Sequence, residues 1–314
     1  ISGGHDIGIE ELRRDFDAVY VAIGAHTDRK IGVEGEDAGG VISAVEMLRE
    51  IGDDHYPDFS GMNIVVVGGG NVAMDVARSA VRLGARSVKI AYRRRRVDMT
   101  ALPEEVEGAI ADGCEILELN SPVRIEKDEK GHCKALIVKP QIIGPVRYGR
   151  PSPKDSEAAE ESIAADRVLV AIGQGIDFRK FAEYSEIKIE QGRISALDTS
   201  EIEDAKGIFA GGDCVTGPAT VIRAIAAGKT AAANIDDYLG YHHEIQSDVT
   251  LLPVRFDDNA PTGRINMRER AAEERGKEYA GHGRHGHPHE FQEGEGCEKM
   301  QCRAHPVPAQ CQLR

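Results

Sequence analysis

Gly68-Gly69-Gly70-Asn71-Val72-Ala73 carries the residue types that hold a diphosphate. It reads G-x-G-x-x-A, directly after the β-branched run Ile64-Val65-Val66-Val67 and directly before a stretch with helical spacing. In that setting Gly68 permits a tight turn and Gly70 lets the backbone approach a pyrophosphate. Ala73 lets helix and strand pack closely, and free N–H groups at the helix start face the anion. The plain alternative is a strand–turn–helix with no ligand.

The residues after the second strand bear on which dinucleotide would bind. An NAD site expects Asp or Glu near that strand's end to hold the ribose 2′-OH. Here Ser87-Val88-Lys89-Ile90-Ala91-Tyr92 offers no acid and runs into Arg93-Arg94-Arg95-Arg96. Guanidinium forks take a phosphate bidentately, so Arg93 and Arg94 favour NADPH over NADH. The alternative is a solvated loop whose arginines pair with Glu104, Glu105 and Glu107.

A further signal is Gly211-Gly212-Asp213 after the short run Ile208-Phe209-Ala210, followed by Thr220-Val221 at the start of an Ala-rich helix. Asp213 suits a polyol such as a ribityl chain. The helix start suits an electron-rich ring edge, where its dipole stabilises negative charge. An N-capping Asp beside a glycine turn explains the same residues, and the residues alone leave both readings open. Cys214 has no second thiol near it, which argues against disulfide-reductase chemistry and for a buried structural thiol.

These groups need elements to place them. Ala18–Gly24, Ile64–Gly68 and Val168–Gly173 are continuous apolar runs ending at glycine, as strands buried on both faces of a parallel sheet read. Val88–Tyr92 is interrupted by Lys89 and is expected nearer a sheet edge. Val72, Val76, Ala80 and Leu83 mark one face of a helix, with Gly84 at its C′ position. Together they make a βαβ unit. Pro103 opens another helix, with Glu104 and Glu105 in its first turn, ending near Gly113. Short strands are expected from Glu115 to Val138, a long loop or weak hairpin from Pro140 to Ser162, and a helix from Ala219 to Leu239.

The 314 residues suffice for two domains. Lys and Arg number 39 against 53 Asp and Glu, a net charge of −14, which disfavours a nucleic-acid groove. No apolar run approaches the ~20 residues of a membrane helix. Six scattered cysteines are no disulfide scaffold, and with no secretory signal visible a cytoplasmic protein with free thiols is expected. The start at Ile1 reads as a fragment. His285, His287, His289, Cys297, Cys302 and Cys311 crowd the C-terminal stretch, but their spacing fits neither an iron–sulfur run nor a zinc site, so no metal is assigned.

The two Ala-Ile-Gly strand ends (Ala22-Ile23-Gly24 and Ala171-Ile172-Gly173), GGGNVAMD at 68–75, YRRRR at 92–96 and AGGDCVTGPATVIRAIAAGK at 210–229 resemble the small-subunit family of NADPH-dependent glutamate synthase. That family belongs to the flavoproteins with two dinucleotide-binding domains. The resemblance spans about residues 7–275, in order and at matching spacings. It implies an α/β fold with an NAD(P)-binding Rossmann-like domain inserted into an FAD-binding one. The implied divisions are 1–58 and 166–243 for an incomplete FAD domain, 59–165 for NADPH, and 244–314 for an extension and disordered tail.

By the same resemblance Gly68 to Ala73 match the NADPH pyrophosphate loop, and Arg93-Arg94 the 2′-phosphate site. The Ala-Ile-Gly elements lie near the two crossovers. Asp213, after Gly212, matches the ribityl-binding Asp, and Thr220-Val221 the backbone beside the flavin pyrimidine. Hydride passes from NADPH to FAD, and electrons leave through iron–sulfur centres to a partner subunit or ferredoxin. The cofactors carry this chemistry, so no side chain is assigned as catalytic. The sequence departs from the family in two ways. The Cys-rich iron–sulfur region and FAD glycine loop do not appear before the first Ala-Ile-Gly strand, and 281–314 does not match.

Overall fold

The computed structural model describes residues 8–147, 149–176, 186–243 and Ala271. The expectations for 244–314, including the His- and Cys-rich stretch, fall outside these apart from Ala271. Among the described residues no helix is long and apolar enough to cross a membrane.

The chain opens with α1 (Ile9–Asp15), β1 (Val19–Val21), β2 (Thr27–Asp28), β3 (Val41–Ser43) and α2 (Ala44–Gly52). The βαβ unit follows as β4 (Asn63–Val67), α3 (Asn71–Arg82) and β5 (Ser87–Tyr92). Next come α4 (Pro103–Ala111), β6 (Glu115–Glu118), β7 (Asn120–Lys127), β8 (Cys133–Arg147), β9 (Arg150–Asp155), β10 (Glu161–Ala164) and β11 (Arg167–Val170). The last part holds β12 (Gln174–Gly175), β13 (Ile189–Glu190), β14 (Arg193–Ile194), β15 (Ile208–Ala210), α5 (Asp213–Thr216) and α6 (Val221–Tyr238).

Five parallel strands form the central sheet in the order β3-β11-β4-β5-β6. The run 64–67 is apolar throughout because both its faces are covered. Ile64 and Val66 pack on the helix side with Met47, Met74, Val76 and Val106. Val65 and Val67 pack on the other side with Ile125, Leu136 and Val138 of the antiparallel sheet β10-β8-β7. Alternate residues of one strand thus enter different cores. Lys89 sits one strand in from the β6 edge and reaches Glu115 at 3.3 Å, which explains a charge inside an apolar run.

The helix boundaries follow the local signals. Leu83 caps α3, and Gly84 takes φ +90°. Asp112 caps α4, and Gly113 takes φ +97°. Arg78 of α3 ties the two helices, reaching Glu105 and Asp112 at 2.8 Å each.

Of the loop and the weak hairpin expected for Pro140–Ser162, the structure shows a hairpin: β8 pairs β9 across Gln141–Arg147, with a register shift between Ile143 and Val146, and pairs β10 along Glu161–Ala164. Pro151 and Pro153 are accommodated on β9, which pairs only with β8 among the described residues, and Pro145 at the register shift between Ile143 and Val146. Moreover, the two Ala-Ile-Gly strands do not share a sheet. β11 lies inside the five-stranded sheet, between β3 and β4, whereas β1 pairs only with β15 among the described residues. The expected divisions at 58 and 165 therefore do not coincide with sheet membership, since β3 and β11 add to the sheet of 59–165. The segments after the two Ala-Ile-Gly elements do meet. β2 pairs β12, and the Arg29 N–H donates to the Gly173 carbonyl at 3.2 Å.

Candidate functional site

The carboxyl ends of β11, β4 and β5 lie side by side, and beyond them opens a cleft of about 760 Å³. From β4 the chain crosses through α3 to β5 on one side, while β11 flanks β4 on the other. That is a topological switch point, where open α/β sheets leave a crevice. The cleft is lined by Gly68 to Val72 after β4, Arg93 and Arg94 after β5, and Ala171 to Gly173 after β11.

Each glycine of the loop has its own reason. Gly68 takes φ +149°, and a side-chain carbon there would lie 2.9 Å from the Ala171 carbonyl carbon and nearer still to its oxygen. A side chain at Gly69 would strike the Tyr92 ring, 2.9 Å from Cζ. Gly70 has ordinary backbone angles and would meet only Thr100 Oγ1, at 3.5 Å. The protein therefore needs glycine at 68 and 69, whereas at 70 the space is left free on the cleft side. Ala73 is fully buried against the sheet, as close helix–strand packing requires.

Among the described residues, the N–H groups of Gly69, Gly70, Asn71 and Val72 donate to no protein acceptor. These are the free amides of a turn and the start of a twelve-residue helix, where an anion is stabilised. The Asn71 side chain faces elsewhere, accepting from the Leu102 N–H at 2.8 Å. The Gly69 carbonyl accepts from the Thr100 and Ala101 amides at 3.0 and 3.1 Å. The loop after the arginine run is thereby fastened to the glycine turn.

The four arginines separate in space. Arg95 is held by Asp98 at 2.9 Å, and the Arg96 N–H donates to Glu118 at 2.7 Å. Only Arg93 and Arg94 of the four line the cleft. Arg94 Nε donates to the Pro151 carbonyl at 2.8 Å, which aims its guanidinium. Arg93 has no carboxylate partner among the described residues. Partial desolvation, followed by repulsion from Arg94 and Arg150, lowers its pKa from the ordinary guanidinium value. Of the acids expected as alternative partners, Glu105 is taken by Arg78. Arg150 also lines the cleft, on the hairpin strand β9, and no local sequence signal pointed to it.

The remaining candidates form a second group, at the carboxyl ends of the parallel pair β1 and β15. Ala22-Ile23-Gly24 follow β1, Gly212-Asp213 follow β15, and the Gly211 N–H donates to the Val21 carbonyl at 3.2 Å. Gly212 takes φ +73° with open space where a side chain would stand. Asp213 Oδ1 accepts from the Ala219 N–H at 3.2 Å, bracing the turn before α6. Thr220 caps α6, its hydroxyl accepting from the Arg223 N–H at 3.4 Å. Val221, the first residue of α6, is 75% exposed. None of these residues lines the first cleft, although neighbouring Pro218 does. Cys214 is buried, its thiol donating to the Gly211 carbonyl, and burial raises its pKa.

The chain belongs to the pyridine nucleotide-disulphide oxidoreductase family, which matches residues 5–228. It is 41% identical to the NADP(+)-dependent formate dehydrogenase subunit beta of Moorella thermoacetica, over 75% of this chain and 34% of that one. It is 33% identical to the glutamate synthase [NADPH] small chain of Escherichia coli, over 75% of this chain and 53% of that one. The chain thus spans about a third to a half of the curated relatives it matches. FprA from Mycobacterium tuberculosis, solved in complex with NADPH, superposes with a TM-score of 0.62 at 21% identity, over 79% of this chain and 70% of that one. That likeness establishes an α/β fold shared with FprA.

Proposed function

We propose that this chain is part of an NADPH-dependent flavin oxidoreductase of the glutamate synthase small-subunit type. The observation that carries the reading is the cleft. It joins the unpaired amides of Gly69 to Val72 to the guanidiniums of Arg93 and Arg94, across the ends of adjacent strands. The amides would hold the pyrophosphate, and the two arginines the 2′-phosphate that distinguishes NADPH from NADH. On this reading 59–165 with β3 and β11 forms the NADPH part, and the elements around β1, β15 and α6 form the FAD part.

The second group suits the flavin end of FAD. Gly212 leaves room, Asp213 presents a carboxylate with one backbone donor, and the start of α6 opens outward. Asp213 would bind the ribityl hydroxyls, and the Thr220-Val221 backbone the pyrimidine edge. When bound, FAD accepts hydride from reduced nicotinamide and passes electrons on singly. Ala171 to Gly173 line the same cleft as Pro218, which precedes α6 in the chain. Electrons would leave for iron–sulfur centres on a partner subunit or for ferredoxin, in keeping with relatives that are themselves named as subunits. A cytoplasmic setting accords with Cys114, Cys133 and Cys214 all being free thiols.

A second reading, an NADPH-binding module without hydride transfer, is favoured by the exposure of Val221 and Ile222 beside the flavin-side residues. Flavin absorbance in the purified chain, bleached by NADPH, separates the two. The coenzyme assignment itself is tested by replacing Arg93 and Arg94 with Ala. NADPH binding should weaken by ~2–4 kcal/mol, the loss of charge-assisted hydrogen bonds, with NADH nearly unchanged. Equal losses for both nucleotides would remove the 2′-phosphate argument.

A further inference from the structure

The hairpin β8–β9 does more than cover the central sheet. Its second strand begins at Arg150, which reaches the cleft end occupied by Arg93 and Arg94. Arg150 Nη2 donates to the Tyr92 hydroxyl at 2.8 Å and also to the Asp98 carbonyl. Tyr92 donates to that same carbonyl at 2.9 Å, and its ring packs against Gly69. One residue further on, the Pro151 carbonyl accepts from Arg94 Nε. Two consecutive hairpin residues therefore fix both the strand end that precedes Arg93 and the direction of Arg94.

These bonds use one terminal nitrogen of Arg150. Among the described residues its Nε and Nη1 have no acceptor, and it pairs with no carboxylate. Arg93 feels the positive charge of both Arg94 and Arg150. Like charges gathered in a partly desolvated cleft oppose one another unless an anion joins them.

We propose that Arg150 is a specificity-determining residue of the coenzyme site, a third guanidinium that contacts the 2′-phosphate of the adenosine ribose together with Arg93 and Arg94. This rests on the NADPH reading above and extends it to a segment outside the βαβ unit. The hairpin closes the adenosine end of the cleft. Phosphate recognition is then divided between the end of β5 and the start of β9, 57 residues apart in the chain for Arg93 and Arg150.

The test uses the full chain with Arg150→Ala, Arg150→Lys and Tyr92→Phe. Binding of NADP+, NAD+ and adenosine 2′-monophosphate is measured by calorimetry, with melting temperature as the check on folding. Arg150→Ala should weaken NADP+ and adenosine 2′-monophosphate at least tenfold and NAD+ less than twofold. Arg150→Lys should recover part of the loss, because it restores charge without the fork. Tyr92→Phe should affect NADP+ less than Arg150→Ala does. The proposal is overturned if Arg150→Ala weakens NADP+ and NAD+ alike, or if Tyr92→Phe reproduces its whole effect. Either result would make Arg150 a brace for the glycine turn. Arg93→Ala with Arg94→Ala supplies the separate control. If that pair abolishes the preference for NADP+ and Arg150→Ala does not, the inference on Arg150 fails and the NADPH reading stands. If the unaltered chain shows no preference for NADP+, the NADPH reading itself fails.

Discussion

Gly68 and Gly70 are two residues apart in one loop, yet the structure assigns them different duties, and alanine at each position separates those duties. At Gly68 a methyl group meets backbone at 2.9 Å, and φ is +149°. Adopting such a conformation costs a non-glycine residue ~1–3 kcal/mol. The clash with the Ala171 peptide adds to it, because β4 and β11 are hydrogen-bonded neighbours that cannot separate cheaply. A destabilisation of roughly 3–5 kcal/mol is expected, at the upper end for a single substitution. At Gly70 the methyl group would meet one hydroxyl at 3.5 Å, and the backbone angles suit alanine. The loss of a favourable N-cap glycine, roughly 0.5–1 kcal/mol, is offset by reduced unfolded-chain entropy of similar size. Stability should therefore change by less than about 0.5 kcal/mol. The same methyl group stands where a pyrophosphate must approach the free amides. Losing one or two charge-assisted bonds there, at ~1.5–3 kcal/mol each, predicts a fall in NADP+ affinity of about tenfold to a few hundredfold. Thermal unfolding and calorimetric titration of both variants provide the assay. A Gly70→Ala protein that is folded and binds NADP+ like the unaltered chain would refute the diphosphate assignment. A Gly68→Ala protein of unchanged stability would refute the packing account of the turn.

Two further outcomes follow from the electrostatics. Asp98 is held below the ordinary carboxylate range, first by the hydrogen bond from Arg95. A depressed folded pKa stabilises above the unfolded value and loses that contribution as pH falls through the lower folded value. Asp98→Asn should therefore lower the melting temperature at neutral pH, and the difference from the unaltered chain should begin to shrink below pH 3.8 and close once the pH has fallen through the lower folded value. A difference that persists there would show the loop is not held by this pair. Burial raises the Cys114 thiol to about 12 and the Cys133 thiol to about 11, and raises that of Cys214 as well. All three should resist iodoacetamide at neutral pH in the folded chain and react after denaturation, read by peptide mass spectrometry. Rapid labelling of any of them in the native state would contradict the buried structural role.

Much of this molecule is legible without coordinates, where the signal is local. The strand–glycine–helix at 63–82 follows from a β-branched run, a triplet without side chains and a four-residue apolar spacing, all within one stretch. Leu83-Gly84 and Asp112-Gly113 end their helices by short-range backbone geometry, so those boundaries are visible as well. At 140–155 the sequence leaves a loop and a hairpin both open, because proline and glycine argue against a strand unless it lies at a sheet edge or a bulge. The positions of β3 and β11 were obscured for another reason. Two strands ending in the same tripeptide look alike, and only long-range pairing decides which sheet each one joins.

The candidate site divides in the same way. The amino-acid order alone supplies a glycine turn, an anion-facing helix start and a run of four arginines without an acid. Folding decides that Arg93 and Arg94 enter the cleft while Arg95 is bound by Asp98, because that depends on a 3₁₀ turn at Arg96–Asp98 and on the Pro151 carbonyl across the hairpin. It also brings Arg150 to the same place. Short-range order encodes the turn because backbone sterics act over a few bonds, whereas the set of charges around an anion is gathered by strand pairing and packing between segments far apart in the chain.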